Sequence, residues 1–430
     1  MAKENKKSLF SLSVVVWLLR VVVGVTFIIS GWAKSVDPWG FIYKIEEYFN
    51  VWNMFVPREI TLSLAIALSV CEFSVGVLIA SGSMRRGTVW LAALFMAFML
   101  PLTAYIAISD PVSDCGCFGD LWVISNTLTF VKNIVLTVLV VLLIIYNDRV
   151  GGIYNPGLQW LVVVGAVAFS ATLAFFGYRY QPLVDFRPYP VGSELNYAAE
   201  DEDDDASASE YFIYEKDGRK ESFALDNIPD STWTYVGVEQ TNRPEAEARL
   251  AVFDGDVEVS DEVFDGQGDM LLLVVCEPDL HYIKRRHLAK EISSYITDVG
   301  GRMTALVGAS GDELDAWVQV ASPDYDVYSV EDTSLKELVR GETGLVYIRD
   351  GRIVWKRNLA SINQDVLMPD YDGAPLLSDE MAVDDGQINR WMTGIFILWL
   401  VFVYSLNFPD NILSKYLMRC SAKNRNFALL

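Results

Sequence analysis

Six apolar runs, each close to the length a helix needs to cross a bilayer, constrain this chain more than any other feature. They lie near 9–32, 60–82, 87–109, 123–147, 158–178 and 391–409, and about 20 helical residues span the hydrocarbon core. Backbone N–H and C=O groups in that core must be satisfied within the segment, so such runs fold as helices. With 52% hydrophobic residues in a chain of 430, the fold class is an α-helical polytopic membrane protein. The stretch between the fifth and sixth runs is left over for a domain outside the membrane.

Charge supports that division. The net charge of −22 is concentrated between about residue 185 and residue 386, as expected of an acidic extramembranous domain. Basic residues instead flank the apolar runs: Lys3, Lys6 and Lys7, then Arg85 and Arg86, then Arg149, then Lys415, Arg419, Lys423 and Arg425. Keeping these inside puts both termini in the cytoplasm and residues 33–59, 110–122 and 180–389 outside. In a Gram-negative bacterium the membrane is then the inner one and the exterior is the oxidising periplasm. The first run lacks a small-residue cleavage site and reads as a retained anchor.

Several chemistries find no support. The five cysteines, Cys71, Cys115, Cys117, Cys276 and Cys420, are too scattered for a disulfide framework, and two histidines are too few for a His-based metal site. No Walker loop, dinucleotide fingerprint, serine-hydrolase elbow or zinc-protease motif occurs. What remains is Asp114-Cys115-Gly116-Cys117-Phe118-Gly119-Asp120, between the third and fourth runs. A disulfide between residues two apart is strained and easily reduced, which suits a relay better than a staple. Cys115 and Cys117 are therefore the candidate redox pair, expected at an exposed outer tip. The alternatives are that both thiols serve a partner, that one pairs with Cys276, or that the glycine-rich loop is only a docking turn.

Charges inside the runs need partners. Arg20 and Glu72 fall near the middle of their spans and are expected to pair, either to set helix register or to serve function. Lys132 either snorkels to the interface or lies under the cysteine loop and favours a thiolate. Pro101 predicts a kink. Asp37-Pro38 predicts the start of a short helix whose aromatic face lies on lipid or against a quinone ring.

Arg20, Gly24, Ser30-Gly31-Trp32-Ala33-Lys34, Asp37-Pro38, Glu72 with Gly76, and Cys115-Gly116-Cys117-Phe118-Gly119 together resemble the DoxX-like superfamily, closest to its MauE-type branch. The resemblance covers about residues 10–147 and implies a four-helix membrane module. For MauE-type proteins it implies disulfide formation or maturation of periplasmic enzymes, and for DoxX quinone-linked electron transfer.

Beyond the fifth run, the acidic stretch 199–207 reads as solvated chain, lacking the spacing of a calcium loop. Tyr211–Tyr214 and Glu221–Leu225 flank Asp217-Gly218 as a hairpin. Residues 269–275, 303–308 and 325–330 alternate as strands with helices over 280–297, 311–319 and 334–340, and a hairpin over 344–355 turns at Asp350-Gly351. This order is thioredoxin-like. The chemistry of such domains is missing, because Leu280, His281, Tyr282 and Ile283 stand where Cys-x-x-Cys belongs and Glu342-Thr343-Gly344 replaces the usual proline. Cys276 is then a buried apolar-like thiol or a second-tier nucleophile.

The expected organisation is a DoxX/MauE-like module over 1–150, a fifth span over 151–180, an acidic and β-rich segment over 181–268, a thioredoxin-like periplasmic domain over 269–366, a linker over 367–389, and a sixth span with a basic tail over 390–430. The expected function is thiol-disulfide or quinone-linked redox work on periplasmic protein clients, making the chain a membrane thiol-disulfide oxidoreductase. The rival is a non-enzymatic scaffold whose degenerate domain binds a partner protein. A transporter finds no inverted repeat to support it.

Overall fold

The computed structural model describes residues 2–112, 114–195, 211–216, 219–224, 234–239, 249–278, 283–368, 373, 375–382 and 385–407. The acidic stretch 199–207, the Asp217-Gly218 turn, Leu280, His281, Tyr282 and the basic tail with Cys420 lie outside the described residues. The chain divides into two units, Met1–Phe186 with Asp384–Leu430, and Arg187–Val383.

The first unit is helical: α1 (Ala2–Val36), α2 (Pro38–Val51), α3 (Arg58–Ser81), α4 (Arg85–Ser109), α5 (Asn126–Tyr146), α6 (Gln159–Arg179) and, after the second unit, α11 (Asp385–Ser405). All but the short α2 are long and apolar enough to cross a membrane, which makes six candidate spans among the described residues. Local chemistry sets the helix ends. Asp37 accepts from the Gly40 N–H at 3.0 Å with Pro38 at the first helical position, so α2 begins where the Asp-Pro signal puts it. Gly82, at φ +64°, closes α3 in the left-handed conformation. Pro101 lies inside α4 without ending it.

Small residues bring α1 and α3 together and fix their register. A Cβ on Gly24 would collide with Ala80, one on Gly31 with the backbone of Phe73, and one on Gly76 with Ile28 and the Gly24 carbonyl. Only glycine permits such approach. In this register Arg20 lies beside Gly82 and Lys34 beside Glu72, so the expected Arg20–Glu72 pair does not form. A depth counted from the middle of each apolar run is wrong here because the two helices are offset. Gly31→Val is expected to force them apart at a cost of roughly 1–3 kcal/mol for overpacking. Heat unfolding in detergent should show a lower midpoint than for the unsubstituted protein.

The second unit holds two sheets. β1 (Tyr211–Lys216), β2 (Arg219–Ala224) and β3 (Thr234–Glu239) form an antiparallel sheet in the order β2-β1-β3, including the hairpin expected around residue 217. The larger sheet takes β4 (Val252–Asp254) and β5 (Val257–Glu258); after the single turn α7 (Ser260–Val263) it continues with β6 (Asp269–Val275), α8 (Ile283–Asp298), β7 (Arg302–Val307), α9 (Gly311–Ala321), β8 (Asp326–Val330), α10 (Asp332–Leu338), β9 (Thr343–Arg349) and β10 (Arg352–Asn358). Its order is β10-β9-β6-β7-β8-β4-β5, with β6, β7 and β8 mutually parallel and the remaining pairings antiparallel. The β9–β10 hairpin turns at Asp350-Gly351, both at positive φ, the conformation that Asp-Gly favours between strands.

Both faces of this sheet are covered, which explains why β6 is apolar throughout rather than alternating. Ala289, Ile292 and Ile296 of α8 and Trp317 of α9 pack on one face, and Leu335 and Leu338 of α10 on the other. Tyr189, Leu195, Leu250 and Phe264 belong to the second core as well, and Leu376 and Met381 to the first. The sequence boundaries at 268 and 366 therefore fall inside this unit, since the flanking chain fills its core.

Candidate functional site

The cysteine loop is built by residues on four elements. At its base Asn126, the first residue of α5, donates from Nδ2 to Asp110 Oδ1 at 2.7 Å and to the Val112 carbonyl at 2.9 Å. Within the loop the Asp114 carboxylate accepts from the Gly116 N–H at 2.6 Å and from Lys44 Nζ of α2 at 3.0 Å. Gly116 has φ +67°, and a Cβ there would meet the Lys44 stem at 2.6 Å. Two independent constraints thus demand glycine between the cysteines.

Each cysteine carbonyl is then held by a different helix. Tyr48 of α2 donates to the Cys115 carbonyl at 2.9 Å. On α1, Ser30 Oγ donates to the Cys117 carbonyl at 2.5 Å and Lys34 Nζ to the same oxygen at 2.7 Å. The Lys34 ammonium also donates to Ser30 Oγ at 2.8 Å and to Glu72 Oε2 of α3 at 2.8 Å. With three N–H groups and three acceptors, this buried cation has no donor left over.

These contacts correct the picture of an exposed tip. Ser30 lies six residues before the end of α1 and Lys132 six residues after the start of α5, so the loop folds back about 9 Å below those helix ends at 1.5 Å per residue. Cys115 is 8% exposed, whereas Cys117 is half-buried. Both thiols are free, with their sulfurs 2.9 Å apart. Beneath Cys117 lies a cavity of about 30 Å³ lined by Ser30, Glu72, Met96, Met99, Lys132 and Asn133 among others, room for roughly one water. The Lys132 ammonium sits 4.2 Å from the centroid of the Phe118 ring, beside the loop rather than out at the interface.

The two thiols are electrostatically unequal. The hydrogen bond shared with Cys115, in which either sulfur can be the donor, holds Cys117 below the ordinary thiol range; burial opposes this, and the Lys132 and Lys34 ammoniums reinforce it. The same hydrogen bond, together with burial, pushes Cys115 up.

Arg20 is at the other end of the bundle. Its guanidinium donates to Asn147 Oδ1 at 2.7 Å and to the carbonyls of Gly151, Asn147 and Val150 at 2.7, 3.0 and 2.8 Å. It closes the turn after α5 and touches neither Glu72 nor the cysteines.

Residues 12–146 match the family model of the methylamine utilisation protein MauE. The match covers less than a third of the chain, but it contains every contact just described around the cysteine loop. The segment holding α1 to α5 is thus similar to the MauE membrane family. Residues 211–241, spanning β1 to β3, match a domain of unknown function, DUF8463. No curated protein and no solved structure matches the chain.

In the second unit Cys276 follows β6 and is 1% exposed, packed with Leu306, Leu335 and Leu338. Its N–H donates to the Glu342 carbonyl at 3.1 Å, and burial pushes its thiol up to about 12. At neutral pH its thiolate fraction is then of the order of one in 10⁵. Cys276 is expected to resist iodoacetamide at pH 8 in the folded protein and to react once denatured, as peptide mass mapping would show.

Sequence reasoning assigned no role to Ser30, Lys34, Lys44 or Tyr48. The available signal was the Ser30–Lys34 spacing of four, which places both on one helix face. Lys34 ends an apolar run, and a lysine there ordinarily reads as snorkelling.

Proposed function

We propose that this is a membrane thiol-disulfide exchange protein acting in the maturation of exported protein clients, with Cys115 and Cys117 as its working pair. The observation that carries this is the pair itself: two thiols 2.9 Å apart, on a loop whose carbonyls are clamped by Tyr48, Ser30 and Lys34, in a segment matching MauE. A client dithiol reduces the Cys115–Cys117 disulfide and leaves with its own disulfide. A lipid-soluble quinone then takes two electrons and two protons from the loop dithiol, becoming quinol and restoring the disulfide. This assigns a DoxX-like role to α1, α3, α4 and α5. It puts the protein in a bacterial inner membrane with both termini cytoplasmic and residues 187–383 in the periplasm.

The second unit supports a client-binding role. We read the β6-α8-β7 unit, with the β9–β10 hairpin antiparallel to β6, as a thioredoxin-like core extended by β8, β4 and β5; the strand order β10-β9-β6-β7 supports that reading. Its one cysteine among the described residues is the buried Cys276, which brings no reactive thiol. That observation also favours the scaffold reading, in which the unit holds a partner protein and the loop thiols are idle.

Replacing both Cys115 and Cys117 by serine separates the two. The expected result is loss of client disulfides at unchanged membrane abundance, read by thiol trapping of exported proteins. Full retention of function by the double variant, with a stable partner co-purifying, would establish the scaffold instead.

A further inference from the structure

We infer that the two loop thiols have ordered duties: Cys117 is the sulfur that carries the mixed disulfide, and Cys115 is its partner thiol, leaving when a client thiolate attacks Cys117 and displacing the bound thiol when a disulfide oxidises the loop. The inference rests on the exchange reading above. Three observations carry it.

The first is access. Cys115 is 8% exposed and belongs to an apolar cluster with Ile106 and Val112, against which Tyr48, Val51 and Leu102 pack. Cys117 packs against the same cluster but is the more exposed residue of the two, and it alone of the pair lines the cavity that Lys132 also lines.

The second is charge. Around the pair, α1 contributes Lys34, α2 contributes Lys44 and Tyr48, α3 contributes Glu72, α5 contributes Lys132, and the loop itself contributes Asp114. From α4 come Phe95, Met96 and Met99, none of which titrates. Lys34 is offset by Glu72, and Lys44 by Asp114 and Glu47. Among the described residues no carboxylate pairs with Lys132, whose ammonium instead sits over the Phe118 ring. Lys132 is thus the cation whose charge remains available to a thiolate at Cys117, and we assign it as a positioning residue.

The third is the shared hydrogen bond. The two sulfurs are 2.9 Å apart and either can donate to the other, so a thiolate at Cys117 has the Cys115 thiol as its donor, and Cys115 lies within reach of the Cys117 sulfur it must later attack. With glutathione disulfide as oxidant, the Cys117 thiolate attacks one sulfur, forms the mixed disulfide and releases one glutathione thiolate. Cys115 then gives up its proton, attacks the Cys117 sulfur and releases the second glutathione. Two thiols are oxidised and one disulfide is reduced to two thiols.

The test uses the full chain in detergent or native membranes, with glutathione disulfide and iodoacetamide as probes. Peptide-level mass spectrometry separates the loop from Cys71, Cys276 and Cys420. In Cys115→Ser, where the hydroxyl still donates, Cys117 is expected to trap glutathione and to alkylate at pH 7 at least about tenfold faster than Cys115 does in Cys117→Ser. In the Cys115→Ser background, Lys132→Met is expected to raise the midpoint pH for Cys117 alkylation by about one unit, and Lys132→Arg to restore it. A packing role alone would leave that midpoint in place. An adduct that collects on Cys115 as fast or faster overturns the ordering while leaving the pair a redox pair. If glutathione disulfide never oxidises the unsubstituted pair, the exchange reading fails and the ordering fails with it.

Discussion

Replacing Lys34 by methionine is expected to cost most of the protein's stability, while replacing Lys34 and Glu72 together should restore much of it. Lys34 is 2% exposed, and its ammonium pairs with Glu72 at 2.8 Å. Removing the lysine strands a carboxylate inside the bundle, at about 3–5 kcal/mol. Two apolar residues of similar volume remove both charges and their desolvation costs, so Lys34→Met with Glu72→Met should be close to neutral for folding. The double variant nevertheless loses one of the two donors on the Cys117 carbonyl, the other being Ser30. Heat unfolding in detergent reads the first effect, and alkylation of Cys115 against Cys117 reads the second. The expected pattern is a stable double variant in which Cys117 still reacts faster than Cys115, because Lys132 is untouched, but by a smaller margin than in the unsubstituted chain. If the double variant is as unstable as the single one, the pair is not what makes Lys34 indispensable.

That pair also marks where sequence reasoning stopped. The six spans were readable because hydrocarbon leaves a helix no alternative. The start of α2 was readable in Asp37-Pro38, the last hairpin in Asp350-Gly351, and β6 in its unbroken run of apolar residues. Each is a local signal with a local cause. The partner of Glu72 was not local, because it depended on how far α1 slides along α3. That offset is set by Gly24, Gly31 and Gly76 meeting particular residues across the interface. A glycine in an apolar run shows that something approaches closely, but not what. The same limit hid β4 and β5, since a strand of three residues pairing with the distant β8 and one of two residues pairing with that strand carry too short a pattern to separate from linker. It hid the fold-back of the loop as well. The hydrogen bonds that pull Cys117 inward come from Ser30 and Lys34, more than eighty residues away in the chain.

Arg20→Lys should damage the bundle without altering the chemistry of the cysteines. The guanidinium reaches four acceptors on the turn after α5, using a planar fork that a lysine cannot reproduce. Losing two or more hydrogen bonds made by a charged donor is expected to cost about 2–4 kcal/mol, visible as a lower unfolding midpoint and a smaller yield of folded protein. Fourteen residues of α1 separate Arg20 from Lys34, about 21 Å along the axis. Substitutions so far apart with no shared partner act independently. In the folded fraction of Arg20→Lys, the pH profile of Cys117 alkylation should therefore overlay that of the unsubstituted chain, whereas Lys132→Met moves it. A shift of equal size in both variants would mean that the two ends of the bundle are coupled, and that Lys132 acts through the fold rather than through its charge.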